Sequence, residues 1–196
     1  ILHATITGYG NTKLEPQVPD PSKEMAALVK LVEDGFPKER VVVRIDPIIP
    51  TDRGLARAKK VFDKALKAGF RRFRVSVIDM YPHVRERFVK AGLVLPYGPN
   101  GFSPSTQQLE AVDKMLEEIW YRAPQIQIES CAEPGLKAPV KCGCISGYDL
   151  ELLGLNEPDA DADGLQRKNC MCYSGKTELL KHRTQCGHGC LYCYWR

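Results

Sequence analysis

The sequence predicts an α/β fold, in which parallel strands alternate with helices in part of a TIM-type (β/α) barrel. Through residues 1–130, short runs rich in β-branched residues alternate with amphipathic segments of helical period. Strands joined by helical crossovers lie parallel in one sheet. Polar residues follow the strands, at the end where parallel α/β folds bind ligands. We therefore predict a partial barrel truncated at its N-terminus, with an open doubly wound sheet as the alternative.

Each predicted element has a local signal. Ser22 and Ser105 precede apolar periodic segments and are expected to be helix N-caps. Pro47 is expected to stop the second strand, because proline cannot donate to a ladder. The predicted strands cover residues 2–7, 40–46, 73–78 and 126–130, and the predicted helices cover residues 22–35, 54–68, 83–91 and 105–121.

The last third of the chain has a different composition. Prolines and glycines interrupt it, leaving short helices at 148–153 and 178–181, and all eight cysteines lie between positions 131 and 193. A loop-rich segment with little core of its own needs a metal to hold it together. We therefore divide the chain into a partial (β/α) barrel, residues 1–130, and a cysteine-rich metal-binding cap, residues 131–196.

Composition favours a cytoplasmic metalloprotein over a disulfide-stapled secreted domain. With 196 residues, 43% of them hydrophobic, the chain is long enough to form a core without disulfides. Its first residues lack the basic start and long apolar run of a signal peptide. No segment approaches the ~20 apolar residues of a membrane helix. We expect thiols on metal, in the cytoplasm, and no membrane partner.

The charge balance decides little about partners. The net charge is only +4, and part of the excess comes from Arg71, Arg72 and Arg74 around one predicted strand. Such a cluster can contact nucleic-acid phosphate, or it can be a solvated face. Nucleic acid is therefore a secondary expectation.

The C-terminus carries three cysteines at C-x3-C-x2-C spacing, Cys186, Cys190 and Cys193, with Tyr192 just before the third. This arrangement matches the signature by which radical S-adenosylmethionine enzymes hold a [4Fe–4S] cluster. Three thiolates leave one iron open, and in those enzymes the open iron binds the methionyl amine and carboxylate of the cofactor. Zinc sites usually space cysteines in two separated pairs. We predict an open-site [4Fe–4S] cluster, with zinc as the alternative.

The remaining cysteines predict a second metal site. Two C-x-C turns, Cys142-Gly-Cys144 and Cys170-Met-Cys172, follow Cys131 at the end of the fourth strand. We assign the ligands as Cys131, Cys144, Cys170 and Cys172, with Cys142 as a spare or a substitute. Four thiolates complete either a fully ligated [4Fe–4S] cluster or a tetrahedral zinc site, and both interpretations stay open.

Charged residues at the strand ends are candidates for the substrate cavity. Arg44 and Asp46 end the second predicted strand, and Glu129 and Glu133 end the fourth. Because side chains two apart share a face of a strand, Arg44 and Asp46 point the same way. We predict that these four residues line the cavity. An interior ion pair is the alternative for Arg44 and Asp46.

The chain resembles an uncharacterised bacterial family, catalogued as a domain of unknown function, whose C-terminal cysteine cluster is similar to that of radical S-adenosylmethionine proteins. The resemblance implies further barrel strands before Ile1 and an iron–sulfur site at the terminal cysteines. The sequence departs from the family pattern between Cys172 and Cys186, and at Cys142. The residues that carry the resemblance are 5–10, 14–16, 44–48, 130–133, 163–172 and 186–194.

We expect an iron–sulfur enzyme of radical S-adenosylmethionine type, with S-adenosylmethionine and one or two [4Fe–4S] clusters as cofactors. An electron donor such as a flavodoxin or ferredoxin would be its partner, and repair or modification of a nucleic acid base is one reaction class. A second interpretation is an electron-transfer or redox-sensing module, whose irons are all capped. A third is a zinc-stapled binding protein.

Overall fold

A computed structural model of the chain describes residues 1–156, 170–173 and 186–195. Over these residues the chain is α/β, and its five strands form one parallel sheet in the order β1-β2-β3-β4-β5. The sheet is open, with β1 and β5 as its edges. The strands are β1 (Leu2–Thr5), β2 (Val41–Ile48), β3 (Arg72–Val77), β4 (Gln127–Ser130) and β5 (Val140–Lys141). The helices are α1 (Pro21–Glu33), α2 (Asp52–Lys67), α3 (Pro82–Lys90), α4 (Thr106–Arg122) and α5 (Gly147–Leu152).

Two predicted element boundaries were wrong. The N-cap of α1 is Asp20 rather than Ser22, because its carboxylate accepts a hydrogen bond of 2.8 Å from the Ser22 amide. Pro21 then takes the first helical turn, where a missing N–H costs nothing. Strand β2 continues through Pro47 to Ile48, since its register against β3 shifts there and no ladder bond from the proline is needed. The predicted cap of α4 is correct: Ser105 forms a capping box.

The two faces of the sheet differ in chemistry. One face is apolar and packs against α1, α2 and α4, for example through Met25, Phe62 and Leu116. Because side chains alternate along a strand, the intervening residues form the opposite face. We call this the polar face, and its residues are His3, Arg44, Asp46, Arg72, Arg74 and Glu129.

A second apolar cluster lies at the carboxyl edge of the sheet. It contains Leu14 from the loop after β1, Ile78 after β3 and Phe88 of α3. Leu191 and Tyr192, from the C-terminal segment, pack against it. The end of the chain is thereby brought back to the edge at which parallel α/β folds bind ligands.

Strand β5 lies beyond residue 130 and pairs with β4, so the start of the cysteine-rich region extends the sheet. The division of the chain at residue 130 stays a prediction. The predicted helix at 178–181 lies outside the described residues. Among the residues that are described, no helix is both long and apolar enough to cross a membrane.

Candidate metal centre and polar face

Three cysteines converge at the end of β4. The sulfurs of Cys131, Cys144 and Cys172 all lie within 4.8 Å of one another, and this group can hold a metal ion. The Cys131 sulfur is 3.8 Å from that of Cys172, and it is also 3.8 Å from that of Cys170. The structure thus brings together the four thiols that the sequence assigned to a second site. We call them the four-thiol group.

The backbone around the four-thiol group is tightly packed. The amide of Cys144 donates a hydrogen bond of 2.9 Å to the Cys172 sulfur, and the Tyr173 amide donates one of 3.0 Å to the Ile145 carbonyl. Where the Cys142-Gly-Cys144 turn passes the Cys170-Met-Cys172 turn, a Cβ atom on Gly143 would lie 2.4 Å from the Met171 carbonyl oxygen. Only glycine permits this approach, so Gly143 is the reason that the two C-x-C turns can meet.

Sulfur spacing is informative about the metal that such a group fits. With metal–sulfur bonds of about 2.3 Å, two thiolates on one tetrahedral ion lie about 3.8 Å apart. Thiolates on different corners of a [4Fe–4S] cubane lie about 6 Å apart, because each binds its own iron. Both measured distances from Cys131, to Cys170 and to Cys172, are 3.8 Å. They equal the edge of a tetrahedron around a single ion.

The pKa values of two thiols in the group are shifted in opposite directions. Hydrogen bonds from Cys131 and then from Cys144 stabilise the thiolate of Cys172, and they hold its pKa well below the usual value. The pKa of Cys131 is raised, because its hydrogen bonds with Cys144 and Cys172 keep it protonated.

Cys142 is not a member of the four-thiol group. The Cys142 sulfur lies 3.6 Å from Nη2 of Arg74 and 3.4 Å from the carbonyl oxygen of Gly143. The two cysteines of the Cys142-Gly-Cys144 turn therefore have different surroundings. The interpretation of Cys142 as a spare or a substitute stays a prediction.

The polar face holds a network of buried charges. Glu129 is fully buried; Arg72 donates to it at 2.7 Å, and Arg74, only 2% exposed, also donates to it. Arg72 donates a second bond of 2.6 Å to Asp149 of α5, and its guanidinium lies 4.7 Å from the Tyr148 ring. These contacts fasten α5 over the sheet. They also engage Arg72 and Arg74, two of the three arginines that the sequence suggests for contact with phosphate.

The four predicted cavity residues fall into two groups. Arg44 and Asp46 form an ion pair, and each side chain is 29% exposed. Glu129 is enclosed by its arginines. Glu133 accepts hydrogen bonds from the Ser76 hydroxyl at 2.6 Å and the Val77 amide at 3.1 Å, which ties it to the end of β3. The first pair is within reach of a ligand, and the second pair holds protein groups in place.

His3 is a polar-face residue that sequence reasoning did not single out. Burial, followed by the charges of Arg74 and Arg44, lowers its pKa from 6.5 to about 4. Its Nδ1 atom lies 3.4 Å from Nη1 of Arg74. A neutral imidazole between two guanidiniums is therefore expected at neutral pH. In the sequence, its position two residues before Thr5 and four before Thr7 indicates only that the three side chains share a face of the predicted strand.

The terminal triad, Cys186, Cys190 and Cys193, lies at the same edge of the sheet, over the loop that follows β1. The Leu191 amide donates to the Leu14 carbonyl at 2.9 Å, and the Gln17 amide donates to the His188 carbonyl at 3.3 Å. The triad is thus docked by backbone hydrogen bonds on both sides of Cys190.

Helix α3 holds the last residues of the segment. Arg87 donates hydrogen bonds to the carbonyl oxygens of Cys193, at 2.6 Å, and of Trp195, at 2.8 Å. Nε2 of His83 lies 2.7 Å from the Tyr194 carbonyl oxygen. Because one guanidinium binds two carbonyl oxygens, it limits the movement of the backbone from Cys193 to Trp195.

The three terminal sulfurs are less closely grouped than those of Cys131, Cys144 and Cys172. Although all three cysteines are among the described residues, their sulfurs do not all lie within 4.8 Å of one another. They still interact: burial, followed by the charges of Glu15, Cys186 and Cys193, raises the pKa of Cys190, against a lowering by the Tyr192 hydroxyl. Cys186 is exposed, and the other two are half-buried.

Glu15 is the principal site residue that the sequence did not reveal. It is 1% exposed, and its Oε1 atom accepts hydrogen bonds from the hydroxyls of both Thr7 and Tyr192. The pKa of Tyr192 is raised, by burial and by the neighbouring carboxylate. A glutamate between Leu14 and Pro16 in a polar loop carries no local sign of burial, so only its tertiary contacts identify it.

Comparison with known proteins gives a family but no activity. A family model described as Domain of unknown function (DUF1848) matches residues 1–195, almost the whole chain. This match confirms the family resemblance predicted from the sequence. No curated protein matches the chain, and no solved structure matches it. The similarity of the terminal cysteines to radical S-adenosylmethionine proteins stays a prediction.

Proposed function

We propose an iron–sulfur enzyme function of radical S-adenosylmethionine type for this chain, which belongs to the DUF1848 family. In this proposal Cys186, Cys190 and Cys193 bind a [4Fe–4S] cluster with one open iron. The enzyme acts in the cytoplasm and receives electrons from a carrier of the flavodoxin or ferredoxin class.

The docking of the terminal segment at the carboxyl edge of the sheet carries this proposal. In radical S-adenosylmethionine enzymes the triad normally follows the first barrel strand. Here the triad comes from the end of the chain, yet the Leu191 amide bonds to Leu14, in the loop that follows β1. A cluster held there would face the edge where parallel α/β folds bind substrates.

The spacing of the terminal sulfurs is a second argument. They interact electrostatically, yet they are not all within 4.8 Å of one another. A cubane requires a spacing of about 6 Å, whereas a mononuclear ion requires about 3.8 Å. The spacing of the triad is therefore compatible with a cluster.

When bound, the cluster would pass one electron to S-adenosylmethionine at its open iron, cleaving the sulfonium into methionine and an adenosyl radical. The protein's own residues hold the cluster loop in place. Tyr192 fixes it to Glu15, and Arg87 and His83 fix the carbonyl oxygens that follow Cys190.

The polar face is the proposed substrate cavity, and its residues have separate roles. Arg44 and Asp46 are partly exposed, and the Nε atom of Arg44 is buried without a hydrogen-bond partner among the described residues. The exposed part of the Arg44 guanidinium can donate to an anionic group of the substrate. Glu129 and Glu133 act as positioning residues, because they bind protein groups only. The consecutive strand order, with helices on the apolar face, supports the further proposal that the sheet is one wall of a (β/α) barrel.

A zinc-stapled binding protein is the second candidate. The 3.8 Å sulfur spacing of the four-thiol group favours it, because that spacing suits a single tetrahedral ion. In that case the cysteines would be structural and the protein colourless.

The test is electron paramagnetic resonance of the full chain, reconstituted anaerobically with iron and sulfide, reduced, and recorded with and without S-adenosylmethionine. We expect a [4Fe–4S] signal that changes when the cofactor is added. The variant Cys190→Ala should lose this signal, whereas Cys142→Ala, a control outside both cysteine sets, should keep it.

A cluster signal that does not respond to S-adenosylmethionine would contradict the enzyme proposal and favour an electron-transfer module. Absence of any iron signal, with one zinc ion per chain, would leave the binding protein. Equal signals in the wild type and in Cys190→Ala would show that the cluster is not at the triad.

A further inference from the structure

We propose that the four-thiol group is a mononuclear tetrahedral thiolate site for zinc, separate from the cluster proposed at the terminal triad. The ligands are Cys131, Cys144, Cys170 and Cys172. This assignment rests on the geometry of the group alone, and it does not depend on a cluster at the triad.

The sulfur distances carry the proposal. Cys131 lies 3.8 Å from both Cys170 and Cys172, and the set Cys131, Cys144 and Cys172 is mutually within 4.8 Å. Cys170 also interacts directly with Cys172. The three sulfurs of Cys131, Cys144 and Cys172 surround a space for one ion with bonds of about 2.3 Å, and Cys170, in contact with Cys131, is the nearest described thiol for the fourth position.

The ligand chemistry favours zinc among single ions. Four thiolates in a tetrahedron are typical of structural zinc, which has no redox role and needs no open position. The Cys144 amide, 2.9 Å from the Cys172 sulfur, supplies the backbone hydrogen bond that such sites use around their ligands.

Two arginines of the polar face offset the charge of the site. Four thiolates on a divalent cation leave a net charge of about −2. The guanidinium of Arg44 interacts with the Cys144 thiol, and that of Arg74 interacts with Cys144 and Cys142. Two cations beside the group make the fully deprotonated, four-thiolate form less costly in a partly buried position.

The site would hold together parts of the chain that lie far apart in the sequence. Cys131 ends β4, Cys144 follows β5, and Cys170 and Cys172 belong to a short described segment, 170–173. A zinc ion on these ligands fastens that segment to the carboxyl edge of the sheet.

The experiment uses the full chain with Cys186→Ser, Cys190→Ser and Cys193→Ser combined, so that only the four-thiol group remains. We expect one zinc per chain and no acid-labile sulfide. Cobalt(II) in place of zinc should give the visible bands of a tetrahedral thiolate complex. Adding Cys144→Ser should lower the metal content at least tenfold, whereas Cys142→Ser, the matched control two residues away, should leave it unchanged.

Zinc X-ray absorption of the wild-type protein provides a test that does not depend on variant folding. It should report four sulfur neighbours at about 2.3 Å.

Gly143→Ala keeps every ligand but forces the two turns apart, so it should weaken zinc binding. Gly187→Ala, where an added Cβ meets nothing within 4 Å, should not weaken it. Four irons with sulfide in the triad variant, or a zinc shell with fewer than three sulfurs, would overturn the assignment. Loss of zinc in both Cys142→Ser and Cys144→Ser would do the same. If no cluster forms at the triad, each of these measurements can still be interpreted, because none of them depends on that cluster.

Discussion

The hydroxyl of Tyr192 donates a hydrogen bond to the carboxylate of Glu15, across 177 positions of the chain. The same carboxylate oxygen accepts the hydroxyl of Thr7, so one buried acid joins the end of β1 to the cysteine-rich terminus. Tyr192 precedes the third cysteine of the triad. The contact therefore determines where the proposed cluster loop lies relative to the sheet.

Loss of this hydrogen bond should loosen the terminal segment. Tyr192→Phe leaves a buried carboxylate with one donor fewer, and a hydrogen bond to a charged group contributes about 1.5 kcal/mol or more. We expect amide exchange at Leu191 to accelerate about tenfold, measured by hydrogen–deuterium exchange. Tyr194→Phe is the control, because the Tyr194 side chain is 65% exposed. Equal acceleration in both variants would contradict the assigned role of Tyr192.

The Arg74–Glu129 pair should be a major contributor to stability. Removing one partner of a buried ion pair leaves the other charge uncompensated, which costs about 3–5 kcal/mol. Because Arg72 also binds Glu129, we expect Arg74→Met to lower the free energy of unfolding by about 3 kcal/mol, at the lower end of this range.

Urea unfolding measures this loss, and Arg122→Met provides the comparison. Arg122 pairs with Asp63 at 3.0 Å with both side chains about half exposed, so its loss should cost less than about 1 kcal/mol. Similar losses for the two variants would show that the polar-face network does not stabilise the fold.

Glu24 should make stability depend on pH. Burial, and then the charges of Glu15 and Asp20, raise its pKa from 4.5 to about 7. The folded state therefore binds more protons than the unfolded state between these values, so the fold loses stability as pH rises from 4.5 through 7. Glu24→Gln removes this loss. The variant should be more stable than the wild type at pH 8 by about 1 kcal/mol, a figure reduced for partial solvent exposure.

The measurement is the free energy of unfolding of both proteins from pH 4 to pH 8. The difference between them should vanish towards pH 4.5 and below. Glu33→Gln, at an exposed position of the same helix, should show no such trend. A stabilisation that is the same at every pH would indicate a cause other than the titration of Glu24.

The cysteine sets show which parts of the candidate site the sequence indicates. Clustering of cysteines in the last third separated them from core residues, and the position of Cys131 after a strand indicated that it lies at the carboxyl edge. Cys144 rather than Cys142 is the predicted ligand, but the spacing gives no physical reason for that choice, because the two are equivalent in a C-x-C turn. Only the fold places Cys144 beside Cys172, and Cys142 beside Arg74.

The sequence by itself determined the α/β class, the approximate elements and the capped start of α4. These depend on side-chain periodicity and on hydrogen bonds within a few residues, which local sequence specifies. Tertiary structure alone decided that Glu15 meets Tyr192, that Arg74 meets Glu129, and that β5 extends the sheet. Such contacts join residues far apart in the chain. Their free energy becomes available only after burial removes the competing water, so no local pattern predicts them.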